Sequence, residues 1–104
     1  MSVATGLSEL DVLILGQATL EYQAETSIHK QEAQRAVAQR AWLRVSEEAR
    51  ITEDEVVSTG LKLESFGLAA RVETGQPWGP PIFRPLDRGY KFIEYIRGVA
   101  GRGA

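Results

Sequence analysis

The sequence predicts a mostly helical domain with a small β-hairpin, in the order α-α-α-β-β-α. Three observations predict it. Apolar residues recur at helical spacing along the first two thirds of the chain, the spacing becomes that of short strands after Gly67, and a last helical stretch follows Pro85. The predicted helices cover residues 8–24, 28–45, 52–66 and 87–97, and the predicted strands cover residues 68–73 and 81–84.

Length and composition bound the class of protein. A chain of 104 residues is enough for one domain, here with a core at 8–97 and a flexible tail at 98–104. A hydrophobic fraction of 43% and a charged fraction of 25% exclude disorder of the whole chain. The absence of cysteine excludes disulfides, thiolate metal sites and cysteine nucleophiles. No apolar run is long enough to cross a membrane, so we expect a cytoplasmic protein without a membrane partner.

The first helix is predicted to begin at Ser8, which can cap it, with Glu9 and Asp11 placed well for the helix dipole. Apolar residues follow on two of its faces, more than one core face can use. Such a helix is either central in the fold or shared with a second subunit. We therefore expect a homodimer that involves residues 8–24, together with Tyr95 of the closing helix.

The second helix is predicted from an apolar stripe that steps by four residues from Ala33 to Val45. Its end is open, because residues 46–50 could extend the helix or form a turn. Charge is segregated along this part of the chain: residues 1–26 hold four acidic residues and no base, whereas residues 27–45 hold four bases and one acid. This distribution predicts a protein with one basic side and one acidic side.

The third helix is predicted to open with a capping box, in which Thr52 is the N-cap and Glu55 the N3 residue. Gly60, in its middle, indicates close contact with another backbone, because glycine costs roughly 1 kcal/mol there relative to alanine. Gly67 follows at the position where a left-handed residue ends helices.

The hairpin is predicted from two short apolar runs on either side of a loop at 74–80 that is rich in glycine and proline. Pro81 and Pro85 bracket the returning strand, which suits an edge position. Asp87 is predicted to cap the last helix, and Gly98 to end it.

One stretch resembles a known family. The segment Leu61-Lys62-Leu63-Glu64-Ser65-Phe66-Gly67-Leu68-Ala69-Ala70-Arg71 is similar to the passage from recognition helix to wing in the winged helix-turn-helix domains of MarR-like and PadR-like transcriptional regulators. Phe83-Arg84-Pro85-Leu86-Asp87-Arg88-Gly89-Tyr90 resembles the start of their closing helix, although Asp87 stands where threonine is usual and Gly89 comes one residue early. The resemblance covers about residues 50–97.

The resemblance implies a small DNA-binding protein, a transcriptional regulator that occludes an operator as a homodimer. In such proteins the third helix enters the major groove of double-stranded DNA and the wing lies along the backbone. The implied contacts combine basic side chains for phosphates with polar side chains for base edges. They are Arg40, Arg44, Ser58, Thr59, Lys62, Arg71, Arg84 and Arg88.

A second function stays open, because winged helices also serve as protein-docking modules. The third helix begins with Glu53, Asp54 and Glu55, which phosphates would repel unless some of these carboxylates face cytosine amino groups. The loop carries Trp78 on a proline frame, either folded on the core or exposed as an anchor for a partner. Docking through Trp78, Glu53 and Asp54 as an adaptor or inhibitor is therefore the alternative.

The sequence does not predict an enzyme. His29 is the only histidine, and it has no acidic or nucleophilic partner nearby in the sequence. Metalloprotease, hydrolase and phosphate-loop motifs are absent, and Glu53-Asp54-Glu55 lacks the alternating ligands of a calcium loop. We assign no catalytic residue, no metal and no cofactor.

Overall fold

A computed structural model of the chain describes residues 6–73 and 79–103. Within them, four helices and one two-stranded antiparallel sheet follow the predicted order. This confirms the mostly helical class with a small hairpin. The elements are α1 (Glu9–Ile28), α2 (Gln34–Ala49), α3 (Glu53–Ser65), β1 (Ala69–Val72), β2 (Ile82–Pro85) and α4 (Asp87–Gly103).

The boundary between α1 and α2 differs from the prediction. Helix α1 begins as predicted, with Ser8 as its N-cap in a reciprocal capping box with Asp11, but it continues to Ile28. Helix α2 starts only at Gln34, so residues 29–33 form the turn that the sequence placed inside a helix. No glycine or proline stands between residues 16 and 60, so neither residue type marks this boundary in the sequence. Residues 46–49 extend α2, and Arg50 ends it in a left-handed conformation.

Helix α3 and the hairpin lie where the sequence predicts them. The backbone N–H of Glu55 donates to the Thr52 hydroxyl, as the capping box requires, and Gly67 has a left-handed φ of 74° after the helix. The strands pair antiparallel with Ala70 opposite Arg84. The tip of the predicted loop, including Trp78, lies outside the described residues.

The core gathers around the middle of α1. Ile14 and Leu15 are fully buried there and join Val45 of α2, Leu63 of α3 and Phe83 of β2 in one cluster. Burial of these side chains supplies most of the drive to fold.

Gly60 faces the same cluster, where a methyl group on it would overlap the Phe83 ring. The close contact predicted for Gly60 is therefore with a side chain, and the expectation of a backbone contact was wrong.

Helix α4 is anchored at its start and runs further than predicted. The N–H of Leu86 donates to the carbonyl of Leu68 at 2.9 Å, and a Cβ on Gly89 would clash with that same carbonyl. The helix continues through Gly98 to Gly103, so the predicted stop at Gly98 is wrong. A single glycine costs a helix only about 1 kcal/mol, which its neighbours in α4 can offset.

Candidate nucleic-acid interface

A three-residue turn joins α2 to α3. It consists of residues 50–52, with Arg50 at φ 54° and ψ 43°, after which the Thr52 cap starts the next helix. A short turn that holds a left-handed residue is typical of two helices that meet at a steep angle, as in helix-turn-helix motifs. The inner side of α3 is buried in the core, and its opposite side is exposed.

The outward side of α3, which we call its outer face, carries mainly small polar side chains. Its residues follow helical spacing and are all exposed, with Leu61 at 42%. Ser65 is also exposed, and its hydroxyl donates to the Lys62 carbonyl. The outer face consists of Asp54, Ser58, Leu61 and Ser65.

Thr59 does not belong to this face. Its side chain is on the inner side of α3 and is only 5% exposed. The prediction that Thr59 offers a polar contact to DNA is therefore wrong, because a base edge cannot reach a buried hydroxyl. Ser58, its neighbour, keeps the exposure that the prediction requires.

Lys62 borders the outer face but is engaged with α1. Its Nζ lies 2.6 Å from Oδ2 of Asp11, a buried carboxylate that also accepts the N–H of Ser8 at 2.8 Å. Burial raises the pKa of Asp11, but the hydrogen bonds from Lys62 and Ser8 outweigh it and hold the pKa below the ordinary value of 3.8. Lys62 therefore links α3 to the N-terminal end of α1 through an ion pair. This role could not be predicted from the spacing of residues in the sequence.

The predicted phosphate contacts on α2 face α1. Nε of Arg44 lies 2.8 Å from Glu21, and Nε of Arg40 lies 3.0 Å from Glu25 while its Nη2 pairs with Glu32. The acidic α1 and the basic α2 thus neutralise each other across their contact. The acidic and basic segments were predicted to form two separate sides of the protein. At the α1–α2 contact they instead lie against each other and form ion pairs.

The turn before α2 holds a related cluster. Both ring nitrogens of His29 lie 3.6 Å from a carboxylate, one from Glu25 and the other from Glu32. The sequence interpretation that His29 has no nearby acidic partner is therefore wrong. Among residues 6–73 and 79–103, however, no group of three or more potential ligands has a geometry that could hold a metal ion.

The side chains of Arg71 and Arg88 lie near the far end of α3. Arg71 of β1 lies 3.4 Å from Glu64, with its guanidinium 6.0 Å from the centre of the Phe83 ring. The guanidinium of exposed Arg88 is next to Gly67, since a Cβ there would lie 3.4 Å from its Nη1. Arg84, on β2, is half-buried, and within the described chain it forms no ion pair shorter than 4.0 Å.

The acidic start of α3 is as exposed as the sequence suggested. Glu53, Asp54 and Glu55 all lie in its first turn, with high exposure. Acids at the first turn and bases at the last both match the helix dipole. The acids therefore stabilise the start of the helix whatever its partner, and they leave that end anionic.

An apolar groove lies on the other side of the molecule, between α1 and α4. Leu13, 67% exposed, and Leu20, 47% exposed, line it from α1, and Ile93 and Ile96 line it from α4. Its volume is about 230 Å³. Tyr95, predicted to join the partner contact, is half exposed on α4.

Among the helices of the described residues, none has the length and apolar character that crossing a membrane requires. Comparison of the chain with protein-family models, curated proteins and solved structures finds no match.

Proposed function

We propose that this protein is a winged-helix DNA-binding domain that occludes an operator as a homodimer. The observation that carries the proposal is the order of elements around α3: a three-residue turn joins it to α2, its outer face is exposed, and an antiparallel hairpin follows it directly. Helix, turn, helix and hairpin in this order are the parts with which such domains hold a duplex.

The dimensions of α3 suit a major groove. Thirteen residues give a helix of roughly 20 Å, and a helix fits a groove about 12 Å wide. Ser58 and Ser65 can donate to or accept from base edges, and Leu61 can contact a thymine methyl group. The outer face has few charges, so it would determine which DNA sequence is bound and would contribute little to the overall affinity for DNA.

Affinity would come from cations beside α3. Arg84 and Arg88 lie on the hairpin and at the start of α4, where a duplex seated on the outer face would bring its backbone. Arg71, Arg40 and Arg44 have carboxylate partners but are 40–56% exposed. Exposed ion pairs contribute at most about 1 kcal/mol, so phosphates can replace carboxylates at little cost.

The groove between α1 and α4 supports the homodimer. Leu13 and Leu20 project from a helix whose other side is buried in the core, and a second copy would cover them. Two copies related by a two-fold axis would present two α3 helices, suited to half-sites about 34 Å apart.

The test is duplex binding by the whole chain. Fluorescence anisotropy with a pool of labelled genomic duplexes should show binding, and Arg84→Ala and Arg88→Ala should each weaken it about tenfold on every sequence, because each removes phosphate contacts. Lys30→Ala is the matched control: Lys30 is exposed in the turn at the opposite end of α2 from α3, so its loss should leave the affinity within twofold. An equal loss in all three variants would contradict the proposed placement of the duplex.

A second candidate is supported by the anionic start of α3. Three exposed carboxylates in one turn favour a basic protein surface over a duplex. For a protein partner, Glu53→Gln combined with Asp54→Asn should weaken binding, whereas for DNA the same pair should strengthen it by removing repulsion. Measuring that double variant against duplex and against a partner captured by the chain separates the two functions.

A further inference from the structure

A second cavity lies at the loop end of the hairpin, among α2, α3 and β2. Its volume is about 150 Å³. A cavity of about this size lined by apolar side chains accommodates a single benzene ring. Unlike the α1–α4 groove, it has walls from three different elements.

Its walls are mostly apolar and well supported. Trp42 lies on one side, and its ring is held 5.3 Å from the centre of the Phe83 ring at an angle of 59°. Val56, Val57 and Ile82 form the floor and the opposite side. A tryptophan fixed in this way offers a flat aromatic surface with little loss of rotamer freedom on binding.

One charged group reaches the cavity. Among the described residues that line it, Glu53, the first residue of α3, is the only charged one, and Asp54 and Glu55 lie in the same helical turn. Ser46 also lines the cavity, but its hydroxyl donates to the Leu43 carbonyl at 2.9 Å. The local charge is thus negative, and an anionic guest would meet repulsion.

We propose that this cavity binds a small molecule with one aromatic ring and a primary ammonium group. The ring fills the volume between Trp42 and Val57, and the ammonium donates to the Glu53 carboxylate. This proposal does not depend on DNA binding, because the cavity exists in the chain alone.

The experiment uses benzylamine as the probe. Amide chemical shifts of Val56, Val57 and Ile82 should move saturably as benzylamine is added to the unmodified chain. In a Trp78→Phe variant, which leaves Trp42 as the only tryptophan, the fluorescence should change with the same affinity. Benzoate, with the same ring and the opposite charge, and methylamine, with the charge and no ring, should each bind at least tenfold more weakly.

Variants locate the site. Glu53→Gln should weaken benzylamine binding about tenfold, because a hydrogen bond to a charged group is worth about 1.5 kcal/mol or more. Asp54→Asn is the matched control, since Asp54 has the same charge in the same turn but does not line the cavity, and it should change the affinity less than twofold. Val57→Phe should abolish binding by filling the cavity, with circular dichroism to confirm that it folds.

Several results would overturn the proposal. Absence of saturable shifts in the unmodified chain up to the solubility of benzylamine would do so. Binding only after Trp78 is replaced would mean that the chain itself occupies the cavity. Equal affinity for benzylamine and benzoate, or an equal loss of benzylamine affinity in Glu53→Gln and Asp54→Asn, would show that Glu53 does not bind the ammonium group.

Discussion

At the scale of single residues, the pair of Asp11 and Lys62 is the contact that most changes the interpretation of α3. The carboxylate of Asp11 caps α1 through Ser8 and at the same time holds Lys62, so one buried side chain fixes two elements. Lys62 was predicted as a base-reading residue on α3. In the structure it spans the gap between α3 and α1.

The first prediction measures that pair. Asp11→Ala, Lys62→Ala and the double variant should give a coupling energy of about 1–2 kcal/mol in unfolding, between the values for exposed and buried ion pairs. Urea unfolding of the four chains provides the measurement. Lys91→Ala, an exposed lysine on α4, should change stability by less than about 0.5 kcal/mol. A coupling energy near zero would show that the two helices are not joined through these side chains.

The second prediction follows from the lowered pKa of Asp11. A carboxyl group whose pKa is lower in the folded state contributes stability above its unfolded pKa, here 3.8, and this contribution is lost as pH falls through the folded pKa. The free energy of unfolding should therefore fall below about pH 3.8, and less steeply in Asp11→Asn. Denaturant titrations across acid pH test this, and identical slopes for both chains would contradict it.

Residue roles were predictable from sequence only where they are local. Thr52 and Glu55 lie three residues apart, so their hydrogen bond followed from the pattern alone. Asp11 and Lys62 are 51 positions apart, and Arg44 and Glu21 are 23 apart, so only the packing of helices could reveal these partners. Thr59 was wrongly predicted to be exposed, because helical spacing alone does not show which polar residues at the edge of a helix face are covered by the core.

At the scale of elements, order and type were predicted well and some ends were not. The capping box marks the start of α3 and the left-handed Gly67 marks its end. Both predicted ends of α3 lie within one residue of those in the structure. The turn at 29–33 has no such signal, since Ala33 caps α2 without a side-chain hydrogen bond. Tertiary packing determines where α1 ends and α2 begins, so the boundary predicted from the sequence was wrong.

The third prediction contrasts two glycines inside helices. Gly60→Ala should lower the free energy of unfolding by about 1–3 kcal/mol, since the methyl group overlaps Phe83 and outweighs the gain in helix propensity. Gly98→Ala has nothing within 4 Å of its Cβ and should raise stability by about 0.5–1 kcal/mol. Thermal unfolding of both variants is the measurement. Stabilisation by Gly60→Ala would contradict the position of the ring, and no gain from Gly98→Ala would contradict the continuous α4.

At the scale of the whole molecule, charge and apolar surface are divided among different faces. Glu21 and Glu25 of α1 are paired with Arg44 and Arg40 of α2, while the apolar groove lies between α1 and α4 and the outer face of α3 is exposed. The sequence predicted the excess of apolar residues on the first helix, and that excess corresponds to the exposed Leu13 and Leu20. The sequence could not show that these exposed residues of α1 would line a groove together with α4.

The fourth prediction tests the homodimer through that groove. Sedimentation of the unmodified chain should give a species of twice 11.5 kDa, and Leu13→Glu should give the monomer, because a carboxylate would be buried against a second copy. Leu43→Glu is the control, since Leu43 is 55% exposed on α2 and away from the groove. A monomeric unmodified chain, or equal dissociation by both variants, would contradict the α1–α4 interface.

The measurement that tests the central proposal most directly is the salt dependence of duplex binding. We expect the logarithm of the affinity to fall linearly with the logarithm of salt concentration, and the slope to decrease by about one unit for each phosphate contact removed by Arg84→Ala or Arg88→Ala. Lys30→Ala should leave the slope unchanged. No binding to any duplex at low salt, or binding whose affinity does not vary with salt, would contradict DNA recognition through α3 and the hairpin.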